Sequence, residues 1–144
     1  MSPSAWLVVH LVAAAVLAGV GWVVQVVVYP AFRLVGPAEW ARYHAGHMGA
    51  ISRVVAVPWL VQGVSTAALL LAPDPGGRTA ALALAVLALV TVVATVAVAV
   101  PVHGRITAGP GTKDVAVLLR ANLVRTVAWS ASTVLAAALL LVPQ

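Results

Sequence analysis

The chain has 144 residues, 63% hydrophobic and only 8% charged, with a mean hydropathy of +1.10. A water-soluble domain carries about 25% charged residues, so this chain lacks the polar surface for a soluble fold and reads as one membrane domain over residues 1–144. The net charge of +5 comes without the basic run that grips a phosphate backbone, which argues against nucleic acid, and the absence of cysteine removes disulfides, thiolate metal sites and thiol nucleophiles.

The first apolar stretch covers about residues 5–28. Its leading "MSPSAW" has no positive charge, and the run is too long for a signal-peptide core, so a retained span is expected. His10 falls near the outer end, where an interfacial histidine beside Trp6 is the plain expectation. It is about 22 Å from Gln25 at 1.5 Å per residue. Trp22, Gln25 and Tyr29 are spaced +3 and +4 and should share a helix face.

The first connection reads "YPAFRLVGPAEWARYHAGHMGAISR". Pro37 and Glu39 suit a first helical turn, so a short amphipathic helix is expected across the mouth of the bundle. On it, His44 and His47 form an H-x-x-H pair whose side chains can meet on one ion. With His103 as a third nitrogen ligand, Zn, Cu or Fe would suit the site. Headgroup contact or hydrogen bonding within the bundle explains the same histidines without a metal. The cofactor expectation is therefore none, or one metal ion held by His44, His47 and His103.

The second span covers about residues 51–71 and contains Pro58, Trp59 and Gln62. Pro30 and Pro58 are expected to end or kink their helices. Gln25 and Gln62 suit helix–helix hydrogen bonds. A tight turn, "APDPGGR", leads to the third span, about 79–100, where Thr91 and Thr95 should bond back to their own helix. The third connection carries His103 and Arg105 and a Gly-Pro-Gly breaker. The fourth span, about 121–142, opens with Asn122, Arg125 and Trp129, again spaced +3 and +4 on one face.

Each stretch approaches the ~20 residues that cross a bilayer as helix, and helix is the form that satisfies its own backbone there. The expected fold class is all-α, a four-transmembrane-helix bundle. Its pattern of helix, polar connection, helix occurs twice. Arg33, Arg42, Arg53, Arg105, Lys113, Arg120 and Arg125 fall on or beside connections one and three, against Arg78 alone on connection two. The positive-inside rule then puts those two connections in the cytoplasm and both termini outside a cell (inner) membrane.

This topology gathers the unusual side chains at one membrane depth. The candidate catalytic set is His44, His47, His103, Tyr29, Arg125 and Asn122. Trp22, Gln25, Trp59, Gln62, Arg105 and Trp129 are candidates for substrate contact. An intramembrane arginine costs ~2.5–3.5 kcal/mol on insertion scales unless it snorkels or is paired, so Arg125 either reaches the headgroups or turns inward as a binding group. Glu39, Asp74 and Asp114 all fall in connections. A span without a carboxylate does not suit a proton-driven carrier.

Two patches resemble a known family. "VPVHGRI" and "LLRANLVRTVAW" are similar to the anthrone-oxygenase-like family of small four-helix membrane proteins, through Pro101, His103, Arg105, Asn122, Arg125 and Thr126. The exit of the first helix, "VVVYPAF", is similar too. His103 stands where that family more usually has Asn. The resemblance implies an oxygenase on a polycyclic aromatic substrate with no dedicated cofactor.

Taken with these residues, the resemblance implies an oxygenase or oxidoreductase on a small lipophilic substrate, with His and Tyr as acid–base groups and Arg125 and Asn122 stabilising an oxyanion. A cyclase or isomerase on a lipophilic intermediate needs the same groups. A non-enzymatic metal-, haem- or lipid-binding protein is the third alternative. The expected partners are the bilayer and the substrate, with room for a homo-oligomer.

Overall fold

In the computed structural model, residues 1–72, 77–109 and 111–141 are described. The turn around Asp74, Pro110 of the Gly-Pro-Gly breaker and Val142 at the expected end of the fourth span lie outside them. The described residues form four helices: α1 (Pro3–Leu34), α2 (Pro37–Leu71), α3 (Gly77–Ala108) and α4 (Thr112–Leu140). All four are long and apolar enough to cross a membrane.

The ends follow local chemistry. At the start of α1, Pro3 occupies the first turn and the Ser2 hydroxyl accepts from the Ala5 N–H at 3.2 Å. Helix α2 starts at Pro37 with Glu39 in its first turn, and α4 has Asp114 there. An acid at this position offsets the positive end of the helix dipole. Between α3 and α4, Gly109 has φ +155°, a conformation side chains disfavour.

The helix expected in the first connection is present, but it is not a separate element. It runs on into the second span as one helix of 35 residues. Only Val35 and Gly36 separate α1 from α2. Pro58 lies inside this helix and does not end it. Pro30 likewise lies within α1, which continues to Leu34.

Helix α1 packs extensively on α2 and α4, α3 packs on α4, and the α2–α3 seam is thinner. The result is an up-and-down ring in which each helix neighbours the next. The ends of α1 and α3 and the starts of α2 and α4 meet at one end, which carries all the basic residues except Arg78. We call it the basic end.

The distribution of side chains inverts the water-soluble rule. Val12, Val26, Val57, Leu60, Leu89 and Val96 are exposed, while His10, Gln62, Thr91, His103, Asn122 and Ser132 are buried. An outer surface this apolar suits contact with lipid. Inside, Phe32, Trp40, Val102, Ile106 and Leu118 form a tight apolar cluster at the basic end, and Leu7, Leu69, Leu84 and Ala136 form another at the opposite end.

Candidate active site

The site begins with two matching irregularities. Helix α1 widens to a π-helix over Val24–Val28, just before Pro30. Helix α3 does so over Ala94–Ala99, just before Pro101. Proline has no N–H, and its ring crowds the carbonyl four residues back. A wider turn relieves that crowding, and such turns recur at functional sites. Each wide turn presents one acceptor to α4. Gln25 Oε1 accepts from Asn122 Nδ2 at 2.9 Å, and Thr95 Oγ1 accepts from Arg125 Nη1 at 3.1 Å.

Asn122 and Arg125 are joined to each other, with Arg125 Nη2 donating to Asn122 Oδ1 at 3.0 Å. Asn122 Nδ2 also donates to the Gly21 carbonyl at 3.0 Å. Its two amide hydrogens are therefore taken by Gln25 and Gly21. Asn122 positions Arg125 and has no good donor left, which corrects the expectation that it binds an oxyanion directly. Arg125 turns inward. Its guanidinium carbon is 5.8 Å from the Trp129 ring centroid, and its Nε has no partner among the described residues.

The close packing of α1 on α4 makes these contacts reachable. A Cβ on Gly21 would stand 2.5 Å from Thr126 Oγ1. Only glycine lets the two backbones approach so near while its carbonyl receives Asn122.

Facing this group is a chain of three titratable side chains. Tyr29 Oη and His103 Nε2 are 3.1 Å apart, and His103 Nδ1 and His44 Nε2 are also 3.1 Å apart. Two proton arrangements satisfy the chain. In one, Tyr29 donates to His103 and His103 donates to His44. In the other, His44 donates to His103 and His103 donates to Tyr29, whose hydroxyl hydrogen is then free. Aromatic packing fixes the rings. His44 stacks between Trp40 (centroids 5.2 Å, 19°) and His103 (5.4 Å, 26°). Trp40 is itself anchored by its Nε1 donating to the Ile106 carbonyl.

Tyr29 and His103 of the chain, with Asn122 and Arg125, line one cavity of about 220 Å³ within the basic half, to which all four helices contribute. Tyr29, His103, Thr95, Asn122, Arg125 and Trp129 supply its polar and aromatic wall. Val24, Met48, Ile51, Val55 and Trp59 supply the apolar remainder. An apolar pocket with a few convergent polar groups is the usual form of a small-molecule site.

The sequence candidates sort clearly against this cavity. Tyr29, His103, Asn122, Arg125, Trp59 and Trp129 line it. His44 is one hydrogen bond behind. His47 packs edge-on against Phe32 at 5.1 Å and borders a shallow groove on the outer side, not the cavity. Gln25 supports Asn122. Gln62 lies deeper, where its Oε1 accepts from Trp129 Nε1 at 3.0 Å. Trp22 is exposed, with its Nε1 donating to Ser130 Oγ at 3.2 Å. The wide turn at Val24–Val28 puts it out of register with Gln25 and Tyr29. Arg105 faces outward near Asp114, at 3.8 Å.

The three histidines expected to share a metal do not converge on one point. His44 and His103 direct nitrogens at each other, and among the described residues no three His, Cys, Asp or Glu side chains are grouped to hold an ion. Phe32 and Met48 were not foreseen. Thr95 was expected only to bond back, which it does to Thr91 O at 2.7 Å while also receiving Arg125.

His10 also departs from its expected interfacial place. It is fully buried in the opposite half. Its Nε2 is 2.8 Å from Ser132 Oγ, and its Nδ1 is 3.3 Å from both Ser65 Oγ and Thr66 Oγ1. Ser65 and Thr66 donate to the Gln62 carbonyl, at 3.0 and 2.7 Å. They must then accept from His10 Nδ1–H, and Ser132 donates to Nε2. A neutral imidazole closes this network without remainder.

No family model, curated protein or solved structure matches the chain.

Proposed function

We propose that this chain is an integral membrane enzyme that deprotonates a small lipophilic ketone with an acidic ring CH₂ and passes the resulting electron-rich anion to molecular oxygen. One observation carries this reading. Tyr29 and His103, backed by His44 in one acid–base chain, and a guanidinium whose Nε has no partner among the described residues, Arg125, line the same apolar cavity. A positioned acid–base group contributes about 10²–10⁴-fold to such a reaction. The resemblance of the α3 exit and the α4 opening to anthrone oxygenases supports the same chemistry.

In the proposed reaction the substrate's acidic C–H gives its proton to the Tyr29–His103 pair. The bonding electrons move onto the substrate oxygen, and Arg125 N–H groups hold that oxyanion. His44 fixes the ring of His103 and extends the proton path toward the basic end. The enolate then reduces O₂. A ring CH₂ becomes C=O, with one oxygen atom retained and the other leaving as water. Asn122, Gln25 and Thr95 hold Arg125 in place.

We place the basic end on the cytoplasmic face of the cell membrane, because cytoplasmic loops hold an excess of Lys and Arg. The test of function is an anthrone supplied to the reconstituted protein under ¹⁸O₂. One labelled oxygen in the quinone product, lost in His103→Gln, supports the oxygenase. A product of unchanged mass assigns the same cavity to an isomerase, and no turnover overturns the reading.

A further inference from the structure

The cavity has to be reached, and its lining marks where. Among the residues that line it, Ser52 on α2 and Val100 on α3 are exposed. Both belong to the thinnest seam of the ring, α2 against α3. Further along that seam, away from the basic end, an open groove runs between Leu60, Gly63 and Val64 on one side and Ala88 and Val92 on the other. Trp59 lines both the groove and the cavity and so stands between them.

The groove also carries one polar group without a partner. Gln62 borders it and is 1% exposed. Its Oε1 is taken by Trp129, but its Nε2 has no hydrogen-bond partner among the described residues. A buried donor left unsatisfied is disfavoured, and lipid chains cannot satisfy it. The Trp129 indole that holds Gln62 lines the cavity, so Gln62 and the cavity are mechanically joined. Gly63 has open space around it, with nothing within 4 Å of an added Cβ.

We infer that the α2–α3 seam is a lateral portal through which an uncharged lipophilic carbonyl compound passes from the bilayer into the cavity, with Gln62 Nε2–H as the donor that receives its oxygen on the way. Trp59 is the gate. Its movement uncovers Gln62 and opens the groove into the cavity. The inference rests on the reading of the cavity as a substrate site, and it adds the route and the recognition group. The amide calls for an acceptor, and the ketone proposed as the substrate of the cavity brings one. The amide oxygen is occupied and only the N–H₂ is free, so the ligand must bring an acceptor. An anion is not called for, since no cation lines the groove.

Benzophenone tests this directly. It is an apolar diaryl ketone, and on illumination it inserts into nearby C–H bonds. The protein, reconstituted in phosphatidylcholine vesicles containing benzophenone, is illuminated and its adducts mapped by peptide mass spectrometry. Adducts are expected at Leu60, Val64 or Val92 in the groove and at Met48 in the cavity. They should exceed those on the lipid-facing Val8, Val12 and Val16 of α1 by at least about fivefold.

Gln62→Leu should reduce groove and cavity adducts together by at least about fivefold. Gly63→Leu sets its Cβ in open space and extends a side chain into the groove, and should abolish the Met48 adduct while the protein stays folded. If Met48 is labelled as strongly in both variants as in the parent chain, the portal is overturned and the cavity reading stands. If Met48 is never labelled, both fall. Even labelling of all lipid-facing helices means simple partition into the bilayer and also overturns the portal.

Discussion

Two buried histidines, His10 and His103, sit in opposite halves of the same bundle and differ in what surrounds them. His10 meets three hydroxyls, of Ser65, Thr66 and Ser132. None of them titrates near neutral pH, and His10 lines none of the cavities described above. His103 meets Tyr29 and His44, both of which can give or take a proton, and it lines a cavity that also holds Arg125. Burial alone therefore does not distinguish a structural imidazole from a chemical one. The partners and the adjoining space do. The His10 network ties α1 to α2 and α4, while the His103 chain ties α3 to α1 and α2 and leaves a face open to a ligand.

The contrast can be broken most sharply at His103. His103→Gln keeps the volume and some hydrogen bonding but cannot carry a proton through the chain. We expect turnover to fall about 10²–10⁴-fold, measured per folded protein. Arg125→Gln should follow, with a loss of about 10²–10³-fold, the usual cost of removing an oxyanion donor. Arg125→Lys should recover little of it, because a single ammonium cannot reach Thr95 and Asn122 and still face the cavity.

Changes in packing come next. Gly21→Ala brings a Cβ to 2.5 Å from Thr126 Oγ1. It should cost about 1–3 kcal/mol in stability by overpacking, read from thermal unfolding in detergent. It should also weaken turnover, because the Gly21 carbonyl holds Asn122. His10→Ala leaves Ser65, Thr66 and Ser132 without their common partner. A loss of about 1–3 kcal/mol is expected, with turnover per folded molecule within about threefold of the parent. The smallest effect is expected at Arg105, whose pairing with Asp114 is exposed and long. Arg105→Ala should change stability by no more than about 1 kcal/mol.

The sequence revealed the four spans because composition and length leave few other forms. It also revealed the gathering of polar groups at one end, since spans of equal length return the chain to the same depth. Asn122, Arg125 and Trp129 were legible as a face because α4 is regular there. Trp22 was not, because the wide turn in α1 breaks the +3, +4 register that the reading assumed. Pro30 and Pro101, each ending a Val-rich run, were the available signal for those turns.

The role of His10 was hidden for a different reason. Its partners are Ser and Thr, which look ordinary in any helix. Ser65 and Thr66, three and four residues after Gln62, mark one inward face, and that spacing was the clue. The three histidines are not grouped to hold an ion among the described residues, because H-x-x-H spacing fixes which side chains are near each other, not where their nitrogens point. His47 turns to Phe32, and His44 turns to His103.

The most direct test compares His103→Gln with His10→Gln in one experiment. Both proteins are reconstituted in the same vesicles, the folded fraction of each is measured, and anthrone turnover under oxygen is read per folded molecule. The account predicts a loss of at least about 100-fold for His103→Gln and near-parental turnover for His10→Gln. Equal turnover in the two variants, or a greater loss in His10→Gln, would contradict it.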